Sequence, residues 1–222
     1  MTRKSAESVH VDAVVAAINH ALKLRGFRKQ GRTFNRAMPD GLVQVINVQM
    51  GPFDPPGTTY HPGLRENLYG RFTVNLGVYV PEVAEYRLAR QPEGFIREYH
   101  CTVRERLGPL GPERQDIWWL NSAVEEVGPE ILQRLERDGL PYLERHGSRD
   151  AILQQWAGKS EIQGSGDPPR IALAIILAGR GQLEEARRLL EAQAQEIRNP
   201  GHPAYVRSLA DRLGVPLRPP GH

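Results

Sequence analysis

The chain has 222 residues, 40% of them hydrophobic and 25% charged, the balance of a folded protein long enough for one large domain or a medium domain with an appendage. Its single cysteine, Cys101, excludes an intramolecular disulfide framework and reads as a small buried apolar side chain. The net charge of +3 divides into +6 over residues 1–36, −5 over 37–157 and +2 over 158–222, well short of a strongly basic nucleic-acid binder.

The basic start Met1-Thr2-Arg3-Lys4 runs into a segment broken by Asp12, Asn19 and His20, so neither a signal peptide nor a spanning helix is expected. The longest apolar run, Ile171 to Ala178, is eight residues, too short for a membrane. A cytoplasmic location is expected.

Val11, Val14, Val15, Ile18 and Leu22 fall at i, i+3, i+4, i+7 and i+11, one stripe of a first helix. Ser5 or Ser8 caps its start, and Gly26 is a natural left-handed stop. Around that stop lie Lys23, Arg25, Arg28, Lys29, Arg32 and Arg36, with no acid between Asp12 and Asp40. Such a cluster attracts a phosphate backbone or an acidic protein face. The plainer reading, a solvated helix end and edge strand, is favoured.

Arg32 to Met38 and Leu42 to Met50 read as strands joined by the turn Pro39-Asp40-Gly41. Gly51 to Gly70, rich in proline and glycine, reads as a long loop. Phe72, Val74, Leu76, Val78 and Val80 then alternate with Arg71, Thr73, Asn75, Gly77 and Tyr79, a strand with one apolar face that Pro81 ends. A further strand is expected over Glu98 to Leu107 and a short extended piece over Asp116 to Leu120. Strands in succession without helical crossovers give an α+β fold on an antiparallel β-meander.

Helices follow. Ser122 with Glu125 fits a capping box for a stripe through Val124, Val127, Ile131, Leu132 and Leu135; Gly128-Pro129 is expected to bend this helix and Gly139 to close it. Leu140–Arg145 and Arg149–Trp156 read as short helices, the second capped by Ser148. The N-terminal helix and these helices are expected to cover the sheet. Residues 1–157 thus form an α+β domain, 158–167 a linker and 168–222 a helical appendage. Asp167 and Pro168-Pro169 open that appendage, a hairpin of Ile171–Ala178 and Leu183–Arg198, with a last helix over Pro203 to Leu213.

No motif with the spacing of a known chemistry is present. Gly158-Lys159-Ser160 lacks the earlier glycine of a phosphate loop, since that position is Leu153. The third glycine of a dinucleotide fingerprint begun by Gly179-Arg180-Gly181 is Glu184, and Gly164-Ser165-Gly166 has the wrong spacing for a nucleophile elbow. The histidines show no ligand spacing, so no metal and no cofactor are expected. What remains is a polar set on the sheet: Asn47 and Gln49 share a face, as do Thr102, Arg104 and Arg106, while Asn75 and Asp116 with Trp118 lie on or near neighbouring strands. If these faces coincide, amides and guanidinium groups meet indole rings, a surface for a carboxylate, phosphate or peptide. The simpler alternative, a solvent face with Arg104–Asp116 or Arg106–Glu98 ion pairs and buried tryptophans, is favoured.

Leu24-Arg25-Gly26-Phe27-Arg28-Lys29, Arg32-Thr33-Phe34-Asn35-Arg36, Val45-Ile46-Asn47-Val48-Gln49, Phe72-Thr73-Val74-Asn75-Leu76-Gly77-Val78 and Arg104-Glu105-Arg106-Leu107 before Trp118-Trp119 resemble, in that order, the bacterial family called domain of unknown function 4304. The resemblance covers roughly residues 10 to 135, implies an α+β domain and implies no activity. The expected role is a non-enzymatic protein-interaction module, an immunity-type protein being one concrete form, with another protein as partner. Two alternatives stand beside it. One is nucleic-acid binding through the basic segment. The other is an enzyme or binder of an anionic small molecule, which requires Arg104 and Arg106 in a concave pocket with Asn75 or Trp118 and free of carboxylates.

Overall fold

The stripe Val11, Val14, Val15, Ile18 and Leu22 is buried along one side of the first helix, α1 (Ala6–Leu24), and Gly26 ends the turn after it at φ +82°. The computed structural model of the chain describes residues 6–51, 68, 70–88, 90–120, 124–159, 168–196 and 201–218. The expected capping residue Ser122, most of the loop 51–70 and of the linker 158–167, and residues 197–200 lie outside them.

Among the described residues six strands form one antiparallel sheet: β1 (Arg28–Gln30), β2 (Thr33–Ala37), β3 (Val43–Met50), β4 (Arg71–Tyr79), β5 (Val103–Arg106) and β6 (Trp119–Leu120). Their order is β1-β2-β3-β4-β5, the expected meander. The β2–β3 hairpin closes with Met38 N–H donating to Leu42 O at 2.8 Å, and Gly41 takes φ +85°. β3 lines one edge of β4 from end to end. β5 and β6 share the other edge, pairing with residues 75–78 and 71–72. β1 was not foreseen: its three residues are all exposed and carry no apolar period.

Phe72, Val74, Leu76 and Val78 are fully buried on one face of the sheet, with Phe34, Ile46 and Val48 from its neighbours. Helices cover this face: α1, then α4 (Val124–Arg134), a π-helical turn (Leu135–Gly139) and α5 (Leu140–Arg145) in direct succession. The helix runs through Pro129, and Gly139 does not close it. Gly139 stays right-handed and is small because of contact: a Cβ there would lie 3.0 Å from Leu107 Cδ1 and 3.1 Å from Leu135 Cδ2. A glycine pressed onto a sheet and a glycine that stops a helix look alike in sequence.

Pro81 ends β4 as expected, but it does so as the first residue of α2 (Pro81–Arg87), where a missing N–H is harmless. The strand expected over Glu98 to Leu107 forms only at Val103–Arg106. Glu98–His100 is a 3₁₀ turn closed by Cys101 N–H to Glu98 O at 2.9 Å, and Leu107 begins the single-turn α3 (Leu107–Leu110). The turn resets the alternation, so Cys101 and Val103 enter different buried clusters instead of sharing a side.

α6 (Arg149–Trp156) begins at Ser148, whose Oγ accepts from Ala151 N–H at 3.1 Å. α7 (Pro169–Gly179), α8 (Leu183–Glu196) and α9 (Gly201–Leu213) follow, and α7 packs on α2 and α6 through a fully apolar segment, Ile171–Ile176. The Arg212 guanidinium sits 4.7 Å from the Tyr86 ring centroid of α2. Among the described residues no helix is long and apolar enough to cross a membrane.

Arg149 joins three elements. It donates to both Glu82 oxygens of α2, at 2.6 and 2.8 Å, and to Asp40 O in the β2–β3 turn at 2.6 Å. Bidentate charge-assisted bonds hold geometry as well as energy. Arg149→Ala is expected to lower the unfolding free energy by about 2 kcal/mol, measured by urea denaturation. A Glu82→Gln background should absorb about half of that loss in a double-mutant cycle.

His146 is buried at the end of α5, with Nδ1 2.9 Å from Tyr142 O. Burial pushes its imidazole below the ordinary histidine range, outweighing the bond to Tyr142. The unfolded chain therefore takes up this proton near pH 6.5 and the folded chain only lower, so stability falls as pH drops below about 6.5. Urea midpoints at about pH 7 and pH 5.5 should show that loss, and His146→Phe should reduce it.

Candidate functional site

Antiparallel register sets a polar row across the face away from the helices. Thr33 pairs with Asn47, Asn47 with Asn75, and Asn75 with Arg106, so four strands place these side chains in line. The next row is Asn35, Val45, Gly77 and Arg104. This second row is covered. Asn35 exchanges two hydrogen bonds with the backbone of Ile96, at 2.9 and 2.8 Å, which pins the segment 95–102 across the sheet.

Gly77 lets that segment come down. A Cβ at this position would stand 2.7 Å from both Cβ and Sγ of Cys101 and 3.1 Å from Val103 O. Under the segment a small second core forms from Val45, Tyr79, Ala84, Ile96 and Cys101. Burial raises the Cys101 thiol far above its usual range, so it stays protonated, its sulfur 3.7 Å from Arg97 O. Cys101 packs; it has no thiolate to attack with.

The first row lies at the foot of a recess, with Thr33 and Asn75 themselves buried. It forms the floor of a concavity of about 750 Å³, with Thr33, Asn47, Gln49 and Asn75 beneath. The covering segment supplies Arg97, Glu98 and Tyr99 to its walls, β5 supplies Arg104, Glu105 and Arg106, α3 supplies Pro109, and the loop after it supplies Asp116. The floor is internally bonded: Asn75 Nδ2 donates to Gln49 Oε1 at 2.6 Å and Asn47 Nδ2 to Thr33 Oγ1 at 2.9 Å. Thr73 Oγ1 donates to Ile117 O at 3.0 Å and holds the loop that carries Asp116. Tyr99 is 62% exposed at the rim.

Two of the wall guanidinium groups are paired with carboxylates. Arg104 binds Glu98 through Nε at 2.6 Å and Nη2 at 2.5 Å. Arg106 binds Asp116, which also accepts from Trp118 Nε1 at 3.1 Å, and the guanidinium lies 5.1 Å from the Trp118 ring centroid. Arg97 differs: it donates to Thr33 Oγ1 at 3.2 Å and forms no ion pair among the described residues. Burial, then the charges of Arg87 and Arg97, lower His100, whose Nδ1 accepts from Arg97 N–H at 3.1 Å.

Six residues of the sequence-derived set, Asn47, Gln49, Asn75, Arg104, Arg106 and Asp116, therefore line one concavity; Trp118 flanks it through Asp116. The ion pairs join Arg104 to Glu98 and Arg106 to Asp116, the reverse of the pairing written from sequence. Trp119 is buried against Phe72, whereas Trp118 is not. For an anion at Arg104 and Arg106 the concave pocket is present, but carboxylates occupy both guanidinium groups. Sequence reasoning missed Thr33, Arg97 and Tyr99. Thr33 was within reach, because counting back from the Met38–Leu42 closing pair sets it opposite Asn47.

The basic segment forms no comparable site. Arg25 pairs with Glu136 at 2.5 Å and Arg32 with Asp12 at 2.8 Å. Arg36 bonds Gln44 at 2.7 Å, lies 3.8 Å from Glu144 and stacks over Phe27. Lys23, Arg28 and Lys29 are exposed on the helix end and β1. Among the described residues no group of three potential ligands is placed to hold a metal ion.

No curated protein and no solved structure matches the chain. A family model does match residues 64–145, from the loop before β4 to the end of α5, and so takes in Asn75 and both walls of the concavity but not β2 and β3. That model is described as Domain of unknown function (DUF4304), and over residues 64–145 the resemblance read from sequence holds.

Proposed function

We propose that this protein is a non-enzymatic binding module of the bacterial cytoplasm that takes a polar segment of a partner protein into the sheet concavity. An immunity-type protein is one setting for such a module. The carrying observation is the row Thr33–Asn47–Asn75–Arg106 at the base of an open recess whose walls pair cation with anion. Carboxamides and hydroxyls both donate and accept, as a peptide backbone requires. Wall guanidinium groups already paired with carboxylates do not favour a highly charged ligand such as a phosphate backbone, and Tyr99 at the rim adds a rigid amphipathic contact of the kind enriched in interfaces. The described residues of the recess bring no nucleophile and general base together: the nearest thiol is buried and protonated.

Photo-crosslinking tests this. With p-benzoylphenylalanine in place of Tyr99, one protein species should be captured in cells, and the same probe at the remote exposed Tyr205 should not capture it. Equal capture at the two positions, or none at Tyr99, contradicts the proposal.

A further inference from the structure

We infer that the concavity reads a carboxylate on its partner segment, and that Arg97 with the Thr33 hydroxyl forms the reading group. The inference rests on the peptide-binding role proposed above and adds the chemistry it selects.

Thr33 is 1% exposed, and its Oγ1 accepts from two N–H donors, Asn47 Nδ2 and Arg97 Nη1. A hydroxyl has two acceptor lone pairs and one proton to give. With both lone pairs engaged, its proton remains for an acceptor, and Thr33 lines the recess. Arg97 places a guanidinium beside it, with the remaining N–H groups of its fork uncommitted to any carboxylate among the described residues. A hydroxyl donor beside an unpaired guanidinium is a receptor for a planar oxyanion.

The surrounding charge selects which oxyanion. Arg104 and Arg106 are each neutralised, by Glu98 and Asp116. Glu105 also lines the recess; it pairs in register with Leu76, and its carboxyl, its pKa raised by burial, accepts from Arg106 N–H at 2.9 Å. Arg97 is thus the one guanidinium of the recess lining with no carboxylate partner among the described residues, and it is placed to pair with one negative charge. A carboxylate supplies one, whereas a phosphate near neutral pH carries more and meets Glu98 and Asp116 as well.

An NMR titration of the full-length chain tests this with three probes: acetyl-Gly-Ser-Glu-Ser-Gly-amide, its Gln counterpart and inorganic phosphate. The Glu peptide should shift the Arg97 side-chain Nε–H and the Asn75 side-chain amide saturably. The Gln peptide should bind roughly tenfold more weakly or worse, the value of a hydrogen bond to a charged group. Arg97→Gln should remove the preference for Glu over Gln, and Arg97→Lys should keep part of it. Equal binding of the Glu and Gln peptides in the recess overturns the carboxylate reading and leaves the peptide groove standing. Phosphate binding as well as the Glu peptide also overturns it. If no peptide shifts the recess, or shifts fall only at Lys23, Arg28 and Lys29, the carboxylate reading and the groove both fall.

Discussion

Gly77→Val is expected to destabilise the protein by about 3 kcal/mol, the upper range for overpacking a closed core. The new side chain would enter space held by Cys101 Cβ and Sγ, only 2.7 Å from where its Cβ must go, with the Val103 carbonyl 3.1 Å away. Cys101 is fully buried and Val103 is hydrogen-bonded into the sheet, so neither moves cheaply. The segment 95–102 must lift instead. Arg97, Glu98 and Tyr99 go with it, and the recess loses a wall. Urea denaturation measures the stability, and backbone NMR shifts of residues 95–102 report the wall. A loss under about 1 kcal/mol with those shifts unchanged would mean the segment does not rest on Gly77.

The neighbouring residue gives the opposite experiment. Leu76→Ala is expected to cost about 3 kcal/mol by the cavity it leaves, because Leu76 is fully buried on the helix side beside Gly139. Here the 95–102 segment, on the other face, should keep its shifts. Adjacent residues of β4 thus carry similar energetic weight through different mechanisms, one by filling space and one by leaving it. Denaturation midpoints with those same shifts separate the two.

That division of β4 was legible in the sequence. Phe72 to Val80 alternates without error, and a period of two places Leu76 and Gly77 on opposite faces whatever the sheet topology. The turn at Pro39-Asp40-Gly41 fixed the β2–β3 register, and Asn47, Asn75 and Arg106 could be seen as polar interruptions of otherwise apolar or extended segments. Residues held by strand geometry are readable because the pleat is regular. Arg97 is placed by a loop instead, through Asn35 and Ile96, which are 61 positions apart. No local period records such a contact. β1 escaped notice because an exposed three-residue edge strand has no buried face to mark it. Gly139 misled because its smallness serves packing rather than a left-handed turn. The helices of residues 168–213 were legible from their periods and stops, but their packing on α2 and α6 was not, since an apolar helix face does not name its partner.

The proposed binding site is the recess over Thr33, Asn47, Gln49 and Asn75. Gln49→Trp tests it most directly: Gln49 is exposed at the floor, so an indole there fills the recess at the cost of the bond from Asn75 Nδ2 and of no apolar core contact. Binding of the partner captured at Tyr99 is to be measured by isothermal titration calorimetry against this variant and against Arg28→Glu/Lys29→Glu on the exposed edge strand. The recess predicts that Gln49→Trp weakens binding by at least about tenfold, as loss of a central contact does, while the edge-strand pair leaves it within about threefold. Undiminished binding to Gln49→Trp together with loss in the edge-strand variant would move the site to the basic segment and contradict the account.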